Sequence, residues 1–332
     1  MPLINRFDIA NTAAAVDPDH VLLAARLNNI RPLVNLLRSI YFRPQTTCTI
    51  NSAGIMFSVE EAGSTVAQAY LRKELFATFS YNIQIAKEQN NLRAMGLYSG
   101  YEGEPEDAEE SINLVLRLDY LLDCLTLFYG PSSTASGSGA QSALGQLTGG
   151  ASRDLRGATT AHIAFNGLGS DFELMLEERG IISVCRLAIA EPEPPVDLDF
   201  GSSPVIQQLI IRSEWLRDAF NELDPTSETV GITMSPTAPF FSISTTGDNG
   251  STEMTYSKDE HVLSSFFCSE EQENRYKLAQ LLRCKHALSL SDKTKIRVNQ
   301  RGFIYFQFMI PTDADISFVD FLFAPQSLPS EL

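Results

Sequence analysis

The chain has 332 residues, of which 44% are hydrophobic, and it carries a net charge of −16. Its length predicts two domains with ordinary globular cores, and its acidity argues against a protein that coats nucleic acid with its whole surface. A local basic lining remains compatible with this charge, because affinity for phosphates depends on where the Lys and Arg residues lie.

The first half of the chain predicts a mixed unit of strands and helices. In chain order we expect a mobile tail (1–19), a strand from Val21, a helix near residues 29–41 and hydroxyl-rich strands to Leu71. A solvated insertion (83–110) follows, and then a strand over Ile112–Leu118 and a helix near residues 119–129. A flexible loop (131–158) leads to strands over Thr159–Ile189. The insertion carries six acids and no base between Tyr101 and Glu110, and the loop is rich in Ser and Gly. Both compositions are typical of solvated segments.

The second half repeats this order after an acidic connector over residues 190–203. Three prolines within four residues of the connector exclude a helix interior or a central strand there. Beyond it we expect a strand from Val205, a helix near residues 213–223, further strands, a helix near residues 279–288 and closing strands to Ala324. A repeat on this scale predicts two similar domains, residues 20–189 and 204–324, followed by a tail at 325–332. Few helices among many strands predict an α+β fold with helices on one face of antiparallel sheets.

Basic residues recur on the outer faces of the predicted helices. Arg31 and Arg38 lie on one polar stripe of the first helix, Arg217 on the third, and Arg283 on the fourth, with Lys277 nearby. If the helices lined one surface, these residues would meet a phosphate backbone without reading its sequence.

Ordinary solvated helix faces explain the same pattern, and the second helix counts against the nucleic-acid interpretation. Asp119 and Asp123 occupy its polar face and would repel phosphate. On the third helix we expect Trp215 to pack inward.

No catalytic constellation stands out. The four histidines lack ligand-like spacing, and the five cysteines are scattered without a Cys-x-x-Cys pair, which favours buried thiols in a reducing compartment. Asp197 and Asp199 lie in the connector, and Asp313, Asp315 and Asp320 are interpreted as turn residues near a hairpin. We therefore expect no metal, no cofactor and no catalysis. A metal-dependent 3′–5′ DNA exonuclease is the alternative, and it would need converging carboxylates.

Targeting signals are absent from the pattern as well. No basic segment followed by an apolar core marks a signal peptide at the N-terminus. The most apolar stretch, Ile112–Gly130, contains three charged residues and does not predict a membrane span. These observations favour the cytosol or the nucleus.

Several long segments resemble, in the same order, the Rad-one-type subunit of the heterotrimeric DNA-damage checkpoint clamp, the nine-one-one complex, which is related to the replication sliding clamp. The segments are LAARLNNIRPLVNLLRSIYFRPQTTCTINSAGIMFSVEE, LDYLLDCLTLFYG, FELMLEERGIISVCRLAIAEPEPPVDLDF, IIRSEWLRDAFNELDPTSETVGITMSPTAPFFSISTTGDNGS, and NRYKLAQLL with IRVNQRGFIYFQFMI. They span roughly residues 20–82, 111–130 and 159–324. The resemblance does not extend to residues 83–110 and 131–158.

This resemblance implies a sliding-clamp fold of two similar domains, each with two helices backed by curved antiparallel sheets. It implies a non-catalytic subunit that closes head-to-tail with Rad-nine-type and Hus-one-type subunits into a nuclear ring around double-stranded DNA, without sequence specificity. A clamp-loader ATPase would open the ring, which would then recruit checkpoint and repair clients. The helices would face DNA through Arg31, Arg38, Arg217, Lys277 and Arg283.

The same resemblance implies two further sites. Ring closure by strand addition would use the edges Ile181–Ile189 and Ser251–Ser257, with interface residues Ile181, Ile182, Val184, Met254 and Tyr256. Clients would dock beside the connector, at a pocket formed by Ile40, Val196, Leu198 and Phe200. A homotrimeric clamp would share the fold, and a stable trimer of this chain alone would favour it.

Overall fold

The computed structural model describes residues 21–61, 63–94, 110–127, 159–192, 198, 200–248, 250–312 and 315–326. The predicted tail (1–19), the 131–158 loop and residues 327–332 lie outside these ranges. The elements of the first half are β1 (Leu23–Leu27), α1 (Arg31–Ser39), β2 (Gln45–Asn51), β3 (Gly54–Glu61), β4 (Thr65–Arg72), β5 (Thr78–Tyr81), α2 (Ile83–Ala94), β6 (Ile112–Arg117), α3 (Leu118–Leu125), β7 (Thr160–Phe165), β8 (Phe172–Glu178) and β9 (Ile181–Leu187).

The second half contains the same kinds of element in a closely similar order. They are β10 (Val205–Arg212), α4 (Ser213–Glu222), β11 (Thr229–Met234), β12 (Phe241–Gly247), β13 (Gly250–Tyr256), β14 (Leu263–Cys268), β15 (Gln272–Lys277), α5 (Leu278–Leu281), α6 (Lys285–Leu290), β16 (Lys293–Asn299), β17 (Ile304–Pro311) and β18 (Ile316–Phe323). A 3-10 turn over Leu282–Cys284 separates α5 from α6, so the helix expected near residues 279–288 is interrupted. None of the helices in the described ranges combines the length and hydropathy needed to cross a bilayer.

The strands form three antiparallel sheets whose orders repeat. A five-stranded sheet has the order β5-β1-β7-β8-β9, and a four-stranded sheet has the order β13-β12-β11-β15. The third, of nine strands, has the order β14-β10-β16-β17-β18-β4-β3-β2-β6. Raising each strand number of the first half by nine reproduces the order of the second half. The predicted α+β class is confirmed, and the repeat is visible in the topology.

The nine-stranded sheet joins the two halves through the pairing of β18 with β4. Phe321 lies opposite Ala67, and Val319 lies opposite Ala69. All four side chains are buried, and α1 packs against β4. The small alanines leave room for the helix, while the larger residues of β18 fill the core beside them. The domain bounds stay a prediction, because this sheet belongs to both halves.

The first helix illustrates how local sequence sets these elements. The Arg31 amide donates to the side chain of Asn29 at 3.0 Å, and Pro32 occupies the first turn, where its missing N–H costs nothing. Arg38 lies in the last turn, where its charge complements the carbonyl end of the helix dipole. The buried side is made by Leu33, Val34, Leu36 and Leu37.

The expectation of a solvated insertion over residues 83–110 is wrong for its first part, which forms α2. The side chain of Asn82 accepts hydrogen bonds from the amides of Gln84 (3.1 Å) and Ile85 (3.3 Å) and so caps the helix. Gln89 then accepts a bond from the amide of Leu168 at 3.0 Å. The amide side chain of Gln89, part of the composition that suggested a solvated segment, instead attaches the helix to the turn between β7 and β8 of the five-stranded sheet. Residues 95–109 lie outside the described ranges.

Candidate nucleic-acid interface

Four helices form a continuous row, which we call the helix row, in the order α3, α1, α6 and α4. Each packs against the next, so helices from both halves meet where α1 touches α6. These helices contact β2, β4, β6, β10 and β17 of the nine-stranded sheet, and α3 also contacts β9 at the edge of the five-stranded sheet. The row therefore covers one face of that sheet, and its outer side is a single surface that crosses the junction of the halves.

The centre of the helix row is basic. Arg31 is exposed on α1, Arg38 is half-buried at the end of the same helix, and Lys285 is exposed on α6. Partial desolvation of the His286 ring, whose side chain still reaches solvent, lowers its pKa, and the charge of Arg38 lowers it further. Arg38 and His286 therefore lie close together where α1 meets α6. Near neutral pH the positive charge at this point comes from the arginine.

The other predicted DNA-facing residues differ in their surroundings. Arg217 is half-buried and donates through Nη1 to the carbonyl of Ser289 at 3.5 Å, which ties α4 to α6. Lys277 is exposed at the end of β15, immediately before α5. Arg217 therefore lies in the same helix row as Arg31 and Arg38. Lys277 lies outside the row, on the strand that precedes α5.

Arg283 requires a correction. Its Nη2 donates to Oε1 of Glu61 at 2.8 Å, and its guanidinium lies 4.9 Å from the centre of the Phe42 ring. The guanidinium of Arg283 therefore already has two partners, a carboxylate and an aromatic ring, and both belong to the first half of the chain. We therefore remove Arg283 from the DNA-facing set and assign it to the junction of the halves.

The flanks of the helix row are acidic. On α3, Asp119 accepts a hydrogen bond from Nε of Arg117 at 2.9 Å, and this bond is the main cause of its lowered pKa. Asp123 is exposed on the same helix. At the other end, α4 exposes Glu214, Asp218 and Glu222. A polyanion would therefore meet a basic centre between two acidic flanks.

Trp215 on α4 is also misassigned. It was expected to pack inward, yet 38% of it is exposed. The backbone carbonyl of Trp215 accepts a hydrogen bond from the Tyr256 hydroxyl at 3.3 Å. The inward stripe of α4 is made by Leu216, Ala219 and Phe220.

The first predicted interface strand, β9, lies at a sheet edge with apolar side chains in solvent. It pairs only with β8 among the described strands. Ile181 is 62% exposed, Val184 is 46% exposed, and Ile182 is exposed as well. A contiguous exposed apolar edge of this kind is unusual for an unpaired surface. The interface role of these three residues stays a prediction.

The second predicted interface strand, β13, is also an edge, and it pairs only with β12 among the described strands. Its two predicted interface side chains turn toward the core of the chain. Met254 lies opposite Ile243, and the Tyr256 ring lies 5.4 Å from that of Phe241. The exposed side chains of β13 include Ser251, Glu253 and Thr255. Any interface at β13 thus relies on its backbone and on these polar residues.

The predicted client pocket is not assembled as expected. Ile40 is fully buried at the end of α1, on the helix side of the sheet, so including it was wrong. Val196 lies outside the described residues. Leu198 is buried, and the Phe200 ring lies 5.4 Å from that of Tyr305 on β17. Phe200 therefore lies on the opposite face of the sheet from Ile40.

That opposite face carries residues that the sequence interpretation missed. Asp320 was expected in a turn but lies within β18, only 3% exposed, where Tyr305 donates a hydrogen bond to its Oδ2. Its Oδ1 has no hydrogen-bond partner, and burial raises the pKa of Asp320 to about 6. The signal was available, because strand alternation in ISFVDFLF places an acid within a strongly apolar strand.

Beside this acid runs an apolar row across three strands. Tyr70 on β4 lies opposite Phe318 on β18, which lies opposite Met309 on β17. All three are half-buried, and the Arg72 guanidinium lies 5.7 Å from the centre of the Phe318 ring. This row is a better-formed apolar surface than the one predicted around Ile40.

In the ranges that the structure describes, no three or more His, Cys, Asp or Glu side chains come together as metal ligands would. The carboxylates Asp315 and Asp320 belong instead to an ion pair with Arg72 and to the buried cluster with Tyr305.

Comparison with known proteins gives a consistent result. The family described as repair protein Rad1/Rec1/Rad17 matches residues 22–310. The human cell cycle checkpoint protein RAD1 is 35% identical over 93% of this chain and 93% of its own length. The DNA damage checkpoint control protein rad1 of Schizosaccharomyces pombe is 27% identical, over 91% and 86%. The DNA repair exonuclease REC1 of Mycosarcoma maydis is 22% identical, over 87% and 88%.

The matching family, the sheet topology and the sequence pattern all indicate the same fold. The family has the sliding-clamp fold, which fits few helices on curved antiparallel sheets. With a match over most of its length and a relative at 35% identity, the chain belongs to the Rad1/Rec1/Rad17 family of DNA-damage checkpoint and repair proteins.

Proposed function

We propose that this chain is a non-catalytic subunit of a heterotrimeric ring-shaped clamp that is loaded around DNA at sites of damage in the nucleus. Its two partners would be the Rad-nine-type and Hus-one-type subunits, and a clamp-loader ATPase would open the ring. The closed ring would act in checkpoint signalling and as a platform for repair enzymes. Checkpoint and repair names among the relatives support this role.

The observation that carries the proposal is the equivalence of two strand junctions. The nine-stranded sheet consists of five strands of the second half, β14-β10-β16-β17-β18, and four strands of the first half, β4-β3-β2-β6. The pairing of β18 with β4 joins these two groups. The remaining sheets have five and four strands and end at β9 and β13, which are the repeats of β18 and β4. Pairing β9 with a β13-like strand of the next subunit would build the same nine-stranded sheet between chains.

This proposed pairing would also set the direction of assembly. Because β9 and β13 lie in different halves, each subunit would offer one edge forward and the other backward. Such head-to-tail contacts close into a ring when the rotation per subunit is right. The helix row lies on one side of the wall that these sheets would form, and its basic centre favours turning that side toward the enclosed DNA.

The basic centre of the helix row supports contact with DNA. Arg31, Arg38 and Lys285 would meet phosphates at the junction of the halves, with Arg217 and Lys277 farther along. The acidic flanks limit the affinity of this subunit by itself. Binding by the isolated chain should be weak and salt-sensitive, and most affinity should come from encirclement by the ring.

On the outer face, we propose that clients dock at the apolar row formed by Tyr70, Phe318 and Met309. The connector residue Phe200 lies farther along β17, where its ring packs against Tyr305. The row is half-buried and continuous over three strands, so it offers a shallow apolar site rather than isolated contacts. This replaces the predicted pocket around Ile40.

Solution mass tests the assembly. Light scattering should give a monomer for the chain alone and a 1:1:1 complex after mixing with its two partner subunits. A trimer of the chain alone would point to a homotrimeric clamp instead. A chain that stays monomeric after mixing with both partner subunits would contradict the ring proposal.

A metal-dependent 3′–5′ DNA exonuclease is the second candidate, because one relative is named a DNA repair exonuclease. Purified chain should be assayed with Mg²⁺ or Mn²⁺ on 3′-labelled DNA across a gel-filtration peak. Nucleotide release that follows the peak, and that a single Asp→Asn change abolishes, would favour the enzyme. Release that separates from the peak would leave the clamp as the function.

A further inference from the structure

The edge strand β14 differs from the other sheet edges in the described part of the chain. It pairs with β10 through Gln207, Gln208, Leu209, Ile210 and Ile211, and its opposite side has no partner strand. In these ranges, no backbone hydrogen bond links Ser265, Phe266 or Phe267 to a segment other than β10. Alternate N–H and C=O groups of this strand are therefore open to solvent.

Other edges are protected or are assigned to the ring. The β6 edge is covered, because Val115 and Ala190 exchange two backbone hydrogen bonds of 2.8 and 2.9 Å. The β15 edge carries exposed charges at Glu273 and Arg275, and the Arg275 carbonyl accepts the amide of Gln326 at 2.7 Å. The short β5 edge exposes only small polar side chains, and ring closure would use β9 and β13.

By contrast, β14 combines an open backbone with aromatic side chains and no charge. Its sequence is LSSFFC, and Phe267 is 53% exposed. Phe267 lies opposite Gln208, whereas Phe266 lies opposite the buried Leu209, so the two rings occupy opposite faces of the sheet. On the inner face, the Phe240 ring packs edge-on against Phe266 at 5.7 Å. An added strand would meet an aromatic ring on either face.

Charged side chains lie beside this edge strand and at one of its ends. The Lys258 ammonium lies 5.6 Å from the centre of the Phe266 ring. Glu270 and Glu271 follow the strand and are both exposed. With a chain charge of −16, the acidic end would attract a basic side chain, and the net charge opposes pairing with a second copy of the chain.

We propose that β14 binds an extended segment of another protein by strand addition. The segment would pair its backbone with residues 265–268 and place two consecutive apolar side chains beside Phe267 and Phe266. A basic residue at one end would lie beside Glu270 and Glu271. Main-chain pairing supplies the affinity in this mode, and the side-chain pockets supply the specificity. The site is separate from the ring edges and from the apolar row on the outer face.

The test starts from a phage-displayed library of random 12-residue peptides selected against the full chain. Selected peptides are labelled with fluorescein, and their affinities are measured by anisotropy for the wild type, Phe267→Lys and Ile182→Lys. The second variant is the matched control, since Ile182 is an exposed isoleucine on the different edge strand β9. Peptides N-methylated at alternate residues test backbone pairing without altering the protein.

Strand addition at β14 predicts affinity at least tenfold weaker for Phe267→Lys, unchanged for Ile182→Lys, and lost in one of the two N-methylated registers. Failure to select any peptide, binding lost only in Ile182→Lys, or binding that N-methylation leaves intact in both registers would each overturn the proposal. A dimer of the chain alone that Phe267→Lys dissociates would also overturn it, by showing that a second copy occupies the edge.

Discussion

Arg283 and Glu61 form an ion pair of 2.8 Å that joins the two halves of the chain on the helix side of the nine-stranded sheet. The Arg283 side chain is 27% exposed and that of Glu61 is 17% exposed, so the pair is largely shielded from solvent. Phe42 covers the guanidinium from the first half. The pair adds polar specificity to a junction otherwise made by strand pairing and apolar packing.

Replacing Arg283 with Met should destabilise the chain by about 2 kcal/mol, because Glu61 would keep a poorly solvated charge without its closest partner. Urea unfolding followed by circular dichroism measures this change. Lys285→Met, an exposed cation on the adjoining helix, is the matched control and should cost less than about 0.5 kcal/mol. Equal stabilities for the two variants would contradict the assignment of Arg283 to the junction.

The buried carboxyl of Asp320 should make stability depend on pH. Its pKa is raised to about 6, so between its ordinary value and pH 6 the native chain holds a proton that the unfolded chain has lost. The resulting stabilisation is complete at lower pH and is lost as the pH rises through 6.

Asp320→Asn should remove this dependence. Relative to the wild type, the variant should gain about 2 kcal/mol in unfolding free energy between pH 4 and pH 7, which is most of the effect that the pKa shift produces. Urea unfolding at several pH values measures the difference, and Asp171→Asn, an exposed carboxyl, is the control. A constant difference across this pH range would refute the burial argument.

Reversing charge at the centre of the helix row should weaken DNA binding. Arg31→Glu combined with Arg38→Glu should lower the affinity of the assembled complex for duplex DNA by tenfold or more and reduce the slope of log K against log salt by about two. Lys73→Glu with Lys87→Glu changes the same charge on segments outside the row. An unchanged salt slope for the first pair, or equal effects of the two pairs, would refute the assignment.

Most elements of the fold, but not all of its side-chain contacts, could be predicted from the sequence. The repeat, the four helix positions and the two edge strands follow from periodicity and family resemblance, because apolar alternation encodes which face is buried. Helix α2 was missed because its amide-rich composition suggested a solvated segment, whereas Gln89 binds the backbone of Leu168, which is far away in sequence. The cap by Asn82 is local, because this side chain accepts from the amide of Gln84 two residues on. Arg283 and Ile40 were misplaced because the partner of a side chain depends on tertiary contacts that a single sequence does not record.

An acidic residue at position 184 should block ring assembly while leaving the fold intact. Val184 is 46% exposed on β9, so Val184→Asp loses little burial but places a charge where the next subunit would add its strand. Met254→Asp is a less selective test, because Met254 packs against the core and its loss should also lower thermal stability. Leu127→Asp, on a 60% exposed residue outside the strands, is the control. We expect Val184→Asp to unfold within about 3 °C of the wild type and yet to fail to form the 1:1:1 complex by light scattering. Normal assembly of this variant would place the subunit contact somewhere other than β9.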